Sequence, residues 1–182
     1  MPAPPPFLLG TLPTPIGTML LVFEEDGALR ALDWSDHEER MRRLLRLHYG
    51  TAFTLQDAAV PPALAGPIDA YFAGDLRAID RLAVRTNGTA FQRGVWAALR
   101  DIPAGTTMSY GALARSLGRD KAVRAVGLAN GANPVGLVVP CHRVIGANAA
   151  LTGYGGGLHR KQWLLAHEGV ALGERQGRLE LG

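Results

Sequence analysis

The sequence predicts a small α/β N-terminal domain, a sheet with helices, followed by a mainly α C-terminal domain containing a helix-turn-helix. Three observations predict this arrangement. Short apolar runs separated by turn residues, typical of strands, occur mainly in residues 1–88. The turn signal Asn87-Gly88 then precedes a change to helical spacing. The net charge also changes sign there, from −3 in residues 1–88 to +6 in residues 89–182.

Length and composition exclude several classes of protein. With 182 residues, of which 47% are hydrophobic and 19% charged, the chain is long and apolar enough to bury a core. No apolar run approaches the roughly 18 residues of a membrane span. Residues 1–6 are rich in proline and lack the basic and apolar regions of a secretory signal. We therefore expect a cytoplasmic protein without a membrane partner, with residues 1–6 extended or disordered.

Turn signals and apolar spacing predict the elements of the first domain. Met41, Leu44, Leu45 and His48 recur at intervals of three and four residues, which indicates a helix. This domain has no constellation of catalytic type, so we expect it to support the second. The predicted strands cover residues 7–12, 17–23, 28–34 and 82–85, with a hairpin turn at Asp26-Gly27; the helices run from Ser35 or Asp36 to about Tyr49, and from Pro61-Pro62 to about Gly74.

Capping residues predict the helices of the second domain. Thr89 and Ser109 are N-cap residue types, and Gly118 is typical of a helix C-terminus. Two short helices across a turn centred on Gly118 are typical of a helix-turn-helix, but also of an ordinary helical hairpin. The predicted helices cover residues 91–99, 110–117, from Arg119 or Asp120 to about Asn130, and 160–167, with a loose tail at residues 175–182.

Cys141 is the one cysteine of the chain, so it is either an inert buried side chain or a reactive thiol. Pro140 fixes its own φ and stiffens the approach to it. In the extended segment that we expect here, His142 would point away from Cys141. It would reach the sulfur only through a backbone bend or a water. Glu168, just before Gly169, is the candidate for the group that orients the histidine, as in other nucleophile–base–acid sites.

A glycine-rich segment follows, Gly153-Tyr154-Gly155-Gly156-Gly157. One interpretation is a flexible loop. The other is a wall of backbone N–H groups that approaches a planar ligand closely, which the tyrosine within the run favours. A phosphate-binding loop is excluded, because no Gly-Lys-Ser or Gly-Lys-Thr follows.

The positive charge of residues 89–182 has two interpretations. It indicates a polyanionic partner for the second domain, or it is chance variation between two small domains. Charge alone does not decide between them.

Taken in order, the residues of the second half resemble one protein family. The chain resembles the O6-alkylguanine-DNA alkyltransferases, also called methylated-DNA–protein-cysteine methyltransferases, over about residues 89–170. The first half is similar to the N-terminal α/β domain of that family, chiefly in Thr14-Pro15-Ile16-Gly17. The matching segments are Phe91-Gln92, Val95-Trp96, Ile102-Pro103 with Gly105, Ser109-Tyr110-Gly111, Arg124-Ala125-Val126-Gly127, Asn133-Pro134, Pro140-Cys141-His142-Arg143-Val144, Gly153-Tyr154 with Gly156-Gly157, and Trp163-Leu164-Leu165-Ala166-His167-Glu168-Gly169.

The resemblance implies a catalytic group of five residues. Cys141 accepts the alkyl group, and its thiolate forms through a water held by His142 with support from Glu168. Asn133 braces the turn of the helix-turn-helix against the active-site segment. Tyr110 lines the pocket and donates a proton or hydrogen bond to the leaving guanine. Because a thioether has no hydrolysis route, the protein is consumed by the reaction.

The resemblance also implies contacts with a flipped nucleotide. Arg124 enters the base stack in place of the extruded base, and the helix that carries it enters the minor groove. Small residues permit that approach, although close helix packing also explains Ala125, Gly127 and Ala129. We expect DNA contacts from Arg124, Ala125, Gly127 and Ser109, and a substrate pocket formed by Val144, Tyr154, Gly155 and Gly156.

The expected partner is double-stranded DNA that contains O6-alkylguanine, with O4-alkylthymine left open. We expect a monomer without cofactor or metal, since His37 and His48 alone do not make a zinc site; cooperative binding on DNA is left open. Residues 146–150 are the least familiar stretch and are expected to affect which alkyl groups fit. Two rival functions remain: a cysteine hydrolase that turns over many times, and a DNA-binding regulator that needs no thiol.

Overall fold

The computed structural model describes residues 6–147 and 151–171, and the chain divides into two compact units, Met1–Gly88 and Thr89–Gly182. Three sequence predictions therefore fall at least partly outside the described residues: the proline-rich start, the stretch 146–150 and the tail 175–182. Within the described ranges, no helix is both long and apolar enough to cross a membrane.

The first unit is built on a mixed sheet with strand order β3-β2-β1-β4, whose β1–β2 and β2–β3 pairs are antiparallel and whose β1–β4 pair is parallel. A small sheet with helices confirms the α/β class predicted for this half. Its described elements are β1 (Phe7–Thr14), β2 (Gly17–Phe23), β3 (Leu29–Trp34), α1 (Glu38–Tyr49), β4 (Leu55–Asp57) and α2 (Pro62–Phe72).

The core of this unit lies between the sheet and α1. Met41 and Leu45 of α1 are buried in one cluster with Leu20, Val22 and Ala31 of the sheet, which is the apolar spacing that predicts the helix. The β2–β3 hairpin forms at its Asp-Gly signal.

Two predictions for the first unit are wrong, and one strand was not predicted. Neither Ser35 nor Asp36 caps α1, because both lie in a preceding 3₁₀ turn, Ser35–His37. Residues 82–85 form no strand, and Val84 makes only an isolated bridge to Leu29. The strand β4 had no sequence signal, since it has three residues and depends on its parallel partner β1.

The second unit holds four α-helices among its described residues. The caps of α3 and α4 are those predicted: Thr89 forms a capping box with Gln92, and Ser109 Oγ accepts from the backbone N–H of Ala112 at 3.0 Å. Its elements are α3 (Ala90–Arg100), β5 (Met108–Ser109), α4 (Tyr110–Ser116), α5 (Val123–Gly131), β6 (Val144–Ile145) and α6 (Leu158–His167), with β5 and β6 paired in parallel.

The turn between α4 and α5 is longer than predicted. Gly118 takes a positive φ of 67°, as expected of a residue that ends a helix. Arg119 and Asp120 do not open α5, because a further turn, closed by a 2.8 Å bond from Ala122 N to Arg119 O, delays the helix until Val123.

Candidate active site

Cys141 lies on a one-turn 3₁₀ helix, Cys141–Arg143, and not on the extended segment that the sequence predicted. The turn is closed by a 3.0 Å bond from Arg143 N to Pro140 O. Successive side chains in a 3₁₀ helix are separated by about 120°, so Cys141 and His142 are not on opposite sides. The Cys141 side chain is buried, with the residue 8% exposed.

The segment before this turn is bent because Asn133 holds it. Asn133 Nδ2 donates to Val139 O at 2.8 Å, and Val135 N donates to Asn133 Oδ1 at 3.0 Å. Leu137, between these contacts, takes a φ of 68°, which is unusual for a leucine. The bend that the sequence left open is therefore fixed by a buried amide just after α5.

His142 and Glu168 form a buried pair. His142 Nε2 lies 2.9 Å from Glu168 Oε2, and neither side chain has any exposed surface. An ionised carboxylate accepts hydrogen bonds only, so Nε2 carries the proton of the neutral imidazole. The other ring nitrogen, Nδ1, has no hydrogen-bond partner among the described residues and is left as a basic lone pair.

Arg143 binds the same carboxylate. In the sequence it had no role beyond its place in the matching segment 140–144. Its Nε donates to Glu168 Oε1 and its Nη2 to Glu168 Oε2, both at 2.9 Å. Its Nη1 donates to Ile102 O at 2.7 Å. This fork is the geometry in which arginine binds a carboxylate most strongly.

Burial and charge oppose each other in this cluster. Burial opposes ionisation of Glu168, but the charges and hydrogen bonds of His142 and Arg143 outweigh it, so the pKa of Glu168 lies well below its usual range. Burial holds the pKa of His142 below its ordinary value. Glu168 raises that pKa in part, whereas the positive charges of Arg143 and Lys161 lower it further. At neutral pH the cluster therefore contains a carboxylate and a neutral imidazole.

Lys161 of α6 holds the segment that precedes the glycine run, and the sequence had no signal for it. Its Nζ donates to Val144 O at 2.7 Å and to Thr152 O at 3.2 Å, and the residue is fully buried. The hydroxyl groups of Thr152 and Tyr110 are 2.9 Å apart, so Tyr110 of α4 lies at this segment as well.

The glycine run itself is ordered by contacts with its neighbours. Arg160 Nη1 donates to Gly156 O at 2.9 Å, and this arginine is also buried. The ring of Tyr154 meets the ring of His142 edge to face, with centroids 6.5 Å apart. Gly155, which lies between Tyr154 and Gly156 in the chain, is half-buried. These contacts favour a structured loop beside the cysteine turn over a freely flexible one.

The residues expected to contact DNA occupy α5 and the start of α4. Arg124 and Ala125 are exposed, whereas Ala129 is buried and its carbonyl accepts from Trp96 Nε1 at 2.9 Å. Gly127 is half-buried, and a side chain there would lie 3.7 Å from the Tyr110 ring. Close packing therefore explains Ala129, while Ala125 is small on an exposed surface.

Metal-binding side chains do not gather in the part of the chain that the structure describes. No group of three or more His, Cys, Asp or Glu residues is placed to hold an ion there. The expectation of no metal and no cofactor stays a prediction.

Comparison with known proteins identifies the family. The family model of the 6-O-methylguanine DNA methyltransferase DNA-binding domain matches residues 90–170. The methylated-DNA–protein-cysteine methyltransferase of Salmonella typhimurium is 52% identical over 160 residues, which cover 87% of this chain and 94% of that protein. The crystal structure of Mycobacterium tuberculosis OGT in complex with DNA has a TM-score of 0.72 and 40% identity, covering 88% of this chain and 92% of that one. The chain belongs to the methylated-DNA–protein-cysteine methyltransferase family.

Proposed function

We propose that this chain is a methylated-DNA–protein-cysteine methyltransferase that repairs O6-alkylguanine in double-stranded DNA by moving the alkyl group to Cys141. The observation that carries the proposal is the buried pair of His142 and Glu168, 2.9 Å apart, next to the chain's one cysteine. The high identity to methyltransferases over nearly their whole length supports it.

The first step is deprotonation of the Cys141 thiol. A free thiol has a pKa near 8.5 and is mostly protonated at neutral pH, so it needs a base. Nδ1 of His142 is that base, and a bridging water carries the proton to it. Glu168 fixes the tautomer through Nε2, so the lone pair faces away from the carboxylate.

In the second step the sulfur forms a bond to the alkyl carbon while the bond from that carbon to guanine O6 breaks. The electron pair of the broken bond stays on guanine, and a hydrogen bond from the Tyr110 hydroxyl stabilises it. Over the whole reaction one proton leaves the thiol and one is taken up by guanine. Thr152 lies at 2.9 Å from the Tyr110 hydroxyl and orients it.

The alkyl carbon is buried in duplex DNA, so the nucleotide must leave the stack, which costs a few kcal/mol. We propose that α4 and α5 form a helix-turn-helix that binds the minor groove, with Arg124 filling the vacated place in the stack. Exposure of Arg124 and Ala125 supports this, and the +6 charge of residues 89–182 favours a phosphate backbone. Ser109 and Gly127 lie at the same helices.

The flipped base is proposed to enter a pocket formed by Val144, Tyr154, Gly155 and Gly156. The ordered contacts of this loop support a defined pocket, since Arg160 and Lys161 hold its carbonyl groups. Residues 89–182 thus carry DNA binding and chemistry, and residues 1–88 support them. The protein acts as a monomer in this scheme, and O4-alkylthymine is a second substrate to be tested.

The product is a thioether on Cys141, which has no leaving group that water can replace. Each molecule therefore reacts once. A hydrolase differs here, because its acyl-enzyme is broken by water and the thiol returns.

Titration of the protein into excess duplex DNA with one O6-methylguanine per molecule tests the proposal. After nuclease digestion, the amount of guanine restored should equal the amount of protein added and then stop. Continued repair would indicate a turnover enzyme. Repair by Cys141→Ala, or no repair by the wild-type protein despite DNA binding, would contradict alkyl transfer to Cys141.

A further inference from the structure

We infer that Arg143 is a positioning residue for alkyl transfer: its guanidinium, bound to both oxygens of Glu168, keeps His142 as the neutral base and balances the charge of the thiolate. The inference rests on the proposed function, in which His142 accepts the proton of Cys141.

Two side chains form hydrogen bonds with the carboxylate of Glu168. Arg143 donates to both of its oxygens at 2.9 Å, and His142 Nε2 lies 2.9 Å from one of them. The guanidinium is fixed from its other side by Ile102 O at 2.7 Å. Arg143 is 3% exposed and Glu168 is 3% exposed, so water screens this set little.

A buried carboxylate that faced His142 alone would draw a proton onto the ring, because an imidazolium–carboxylate pair is favoured over an unpaired buried charge. With Arg143 in place the charge of Glu168 is already matched. The imidazole then stays neutral and its Nδ1 lone pair is available. Arg143 thus decides whether His142 begins the reaction as a base or as an acid.

The same charge matters after the proton has moved. In the reactive state, Cys141 is a thiolate and His142 an imidazolium, while Glu168 and Arg143 keep their charges. The transfer therefore leaves the total charge of the site unchanged. Without Arg143 the resting site would hold imidazolium and thiol, and it would have to lose a proton to solvent before the same reactive state formed, with one excess negative charge.

Other charged and titratable groups around His142 do not replace this one. Lys161 of α6 adds a positive charge that acts on the ring, but its ammonium donates to Val144 O and Thr152 O. The rings of Tyr154 and His142 are nearly perpendicular, with their centroids 6.5 Å apart. Cys141 is the neighbouring residue. Among these groups, Arg143 is the cation that donates to the carboxylate of Glu168.

The substitution Arg143→Met removes the charge and keeps most of the side-chain volume, and Arg143→Lys keeps the charge. The first measurement is the pKa of His142 in the DNA-free protein, by NMR of isotope-labelled imidazole. In Arg143→Met it should rise by about one pH unit or more, the usual effect of losing a nearby charge of the same sign as the imidazolium. In Arg143→Lys it should stay close to wild type, as it should in Arg42→Met, a change on α1 in the first unit.

The second measurement is the rate of methyl transfer against pH. The rate requires a neutral His142 in the resting site, so a His142 pKa raised by about one pH unit should move the acid limb of the rate profile of Arg143→Met up by about one unit. The loss should approach about tenfold at pH values below the wild-type His142 pKa and should shrink as the pH rises, because His142 is then neutral in both proteins. A purely structural role would lower the rate by the same factor at every pH.

An unchanged His142 pKa or an unshifted acid limb in Arg143→Met would overturn the inference. If that variant does not fold, the wild-type spectrum decides, since His142 must be the neutral Nε2–H tautomer at neutral pH and an imidazolium there would contradict the inference. Because the NMR measurement uses no DNA, it separates this inference from the proposed function: wild-type protein that fails to take up methyl would refute the function alone.

Discussion

Arginine–carboxylate pairs occur in both units of this chain, in opposite surroundings. On α1, Arg42 Nη2 lies 2.8 Å from Glu38 Oε1, and the side chains are 42% and 44% exposed. In the second unit, Arg143 Nε lies 2.9 Å from Glu168 Oε1, and the side chains are 4% and 0% exposed. The distances are alike, so burial decides what each pair does. Water screens the first pair, whereas the second keeps its charges fixed beside the cysteine turn.

The largest expected difference comes from removing the carboxylate of each pair. Glu168→Ala leaves the guanidinium of Arg143 buried and unpaired, so the second unit should lose about 3 to 5 kcal/mol of its free energy of unfolding. Glu38→Ala should cost the first unit about 0.5 kcal/mol or less. Hydrogen exchange in increasing urea, followed for amides of each unit separately, measures both. Equal losses would show that burial does not distinguish the two pairs.

The second difference is the response to pH. Because the folded-state pKa of His142 is lowered, the unfolded chain takes up its proton first, and stability falls as the pH drops below about 6.5, by at most about 1.4 kcal/mol per pH unit. The lowered pKa of Glu168 extends the loss below about pH 4.3.

His48 in the first unit is also partly buried with a lowered pKa, so a substitution must isolate the contribution of His142. His142→Asn should flatten the dependence between about pH 6.5 and 5 in the second unit only. Urea unfolding at several pH values gives the slope, and an unchanged slope in this variant would contradict the assignment.

Lys161 offers a smaller test of buried charge in the second unit. Lys161→Met keeps the length of the side chain but leaves the carbonyl groups of Val144 and Thr152 without this donor, so unfolding should become easier by about 2 kcal/mol. Arg42→Met on α1 is the matched control, with a change of about 0.5 kcal/mol or less. If Lys161→Met left the free energy of unfolding unchanged, the two carbonyl groups would have found other donors.

Helix capping gives the smallest expected contrast between the units. Thr89→Ala removes the capping box of α3 and should cost about 1 kcal/mol. Ser35 lies before α1 but caps nothing, so Ser35→Ala should change stability by less than about 0.5 kcal/mol. Thermal unfolding of both variants compares the two, and a larger loss in Ser35→Ala would contradict the assigned caps.

Local signals predicted the fold well where local chemistry decides it. The caps at Thr89 and Ser109 and the hairpin at Asp26-Gly27 depend on neighbouring residues, and the structure contains all three. The strand β4 exists because β1 pairs with it, which no local pattern reveals. For the same reason, the single bridge of Val84 could not be told from a strand.

The candidate site also has parts that the sequence predicted and parts that it did not. The resemblance predicted a group containing Cys141, His142 and Glu168, and the structure places the last two in contact, while their roles stay proposals. Asn133 holds the segment before the Cys141 turn, as the resemblance implied, but the 3₁₀ turn itself had no local signal, and the sequence predicted an extended segment instead. The burial of Arg143 and Lys161 had no signal either, because charged residues are usually exposed and only their partners show otherwise.

The most direct test of alkyl transfer to Cys141 is the intact mass of the protein after incubation with duplex DNA that carries one O6-methylguanine. Each molecule should gain one methyl group in place of a proton, peptide mapping should place it on Cys141, and Cys141→Ala should gain nothing. Restoration of guanine without any gain in mass, or a methyl group on another residue, would contradict it.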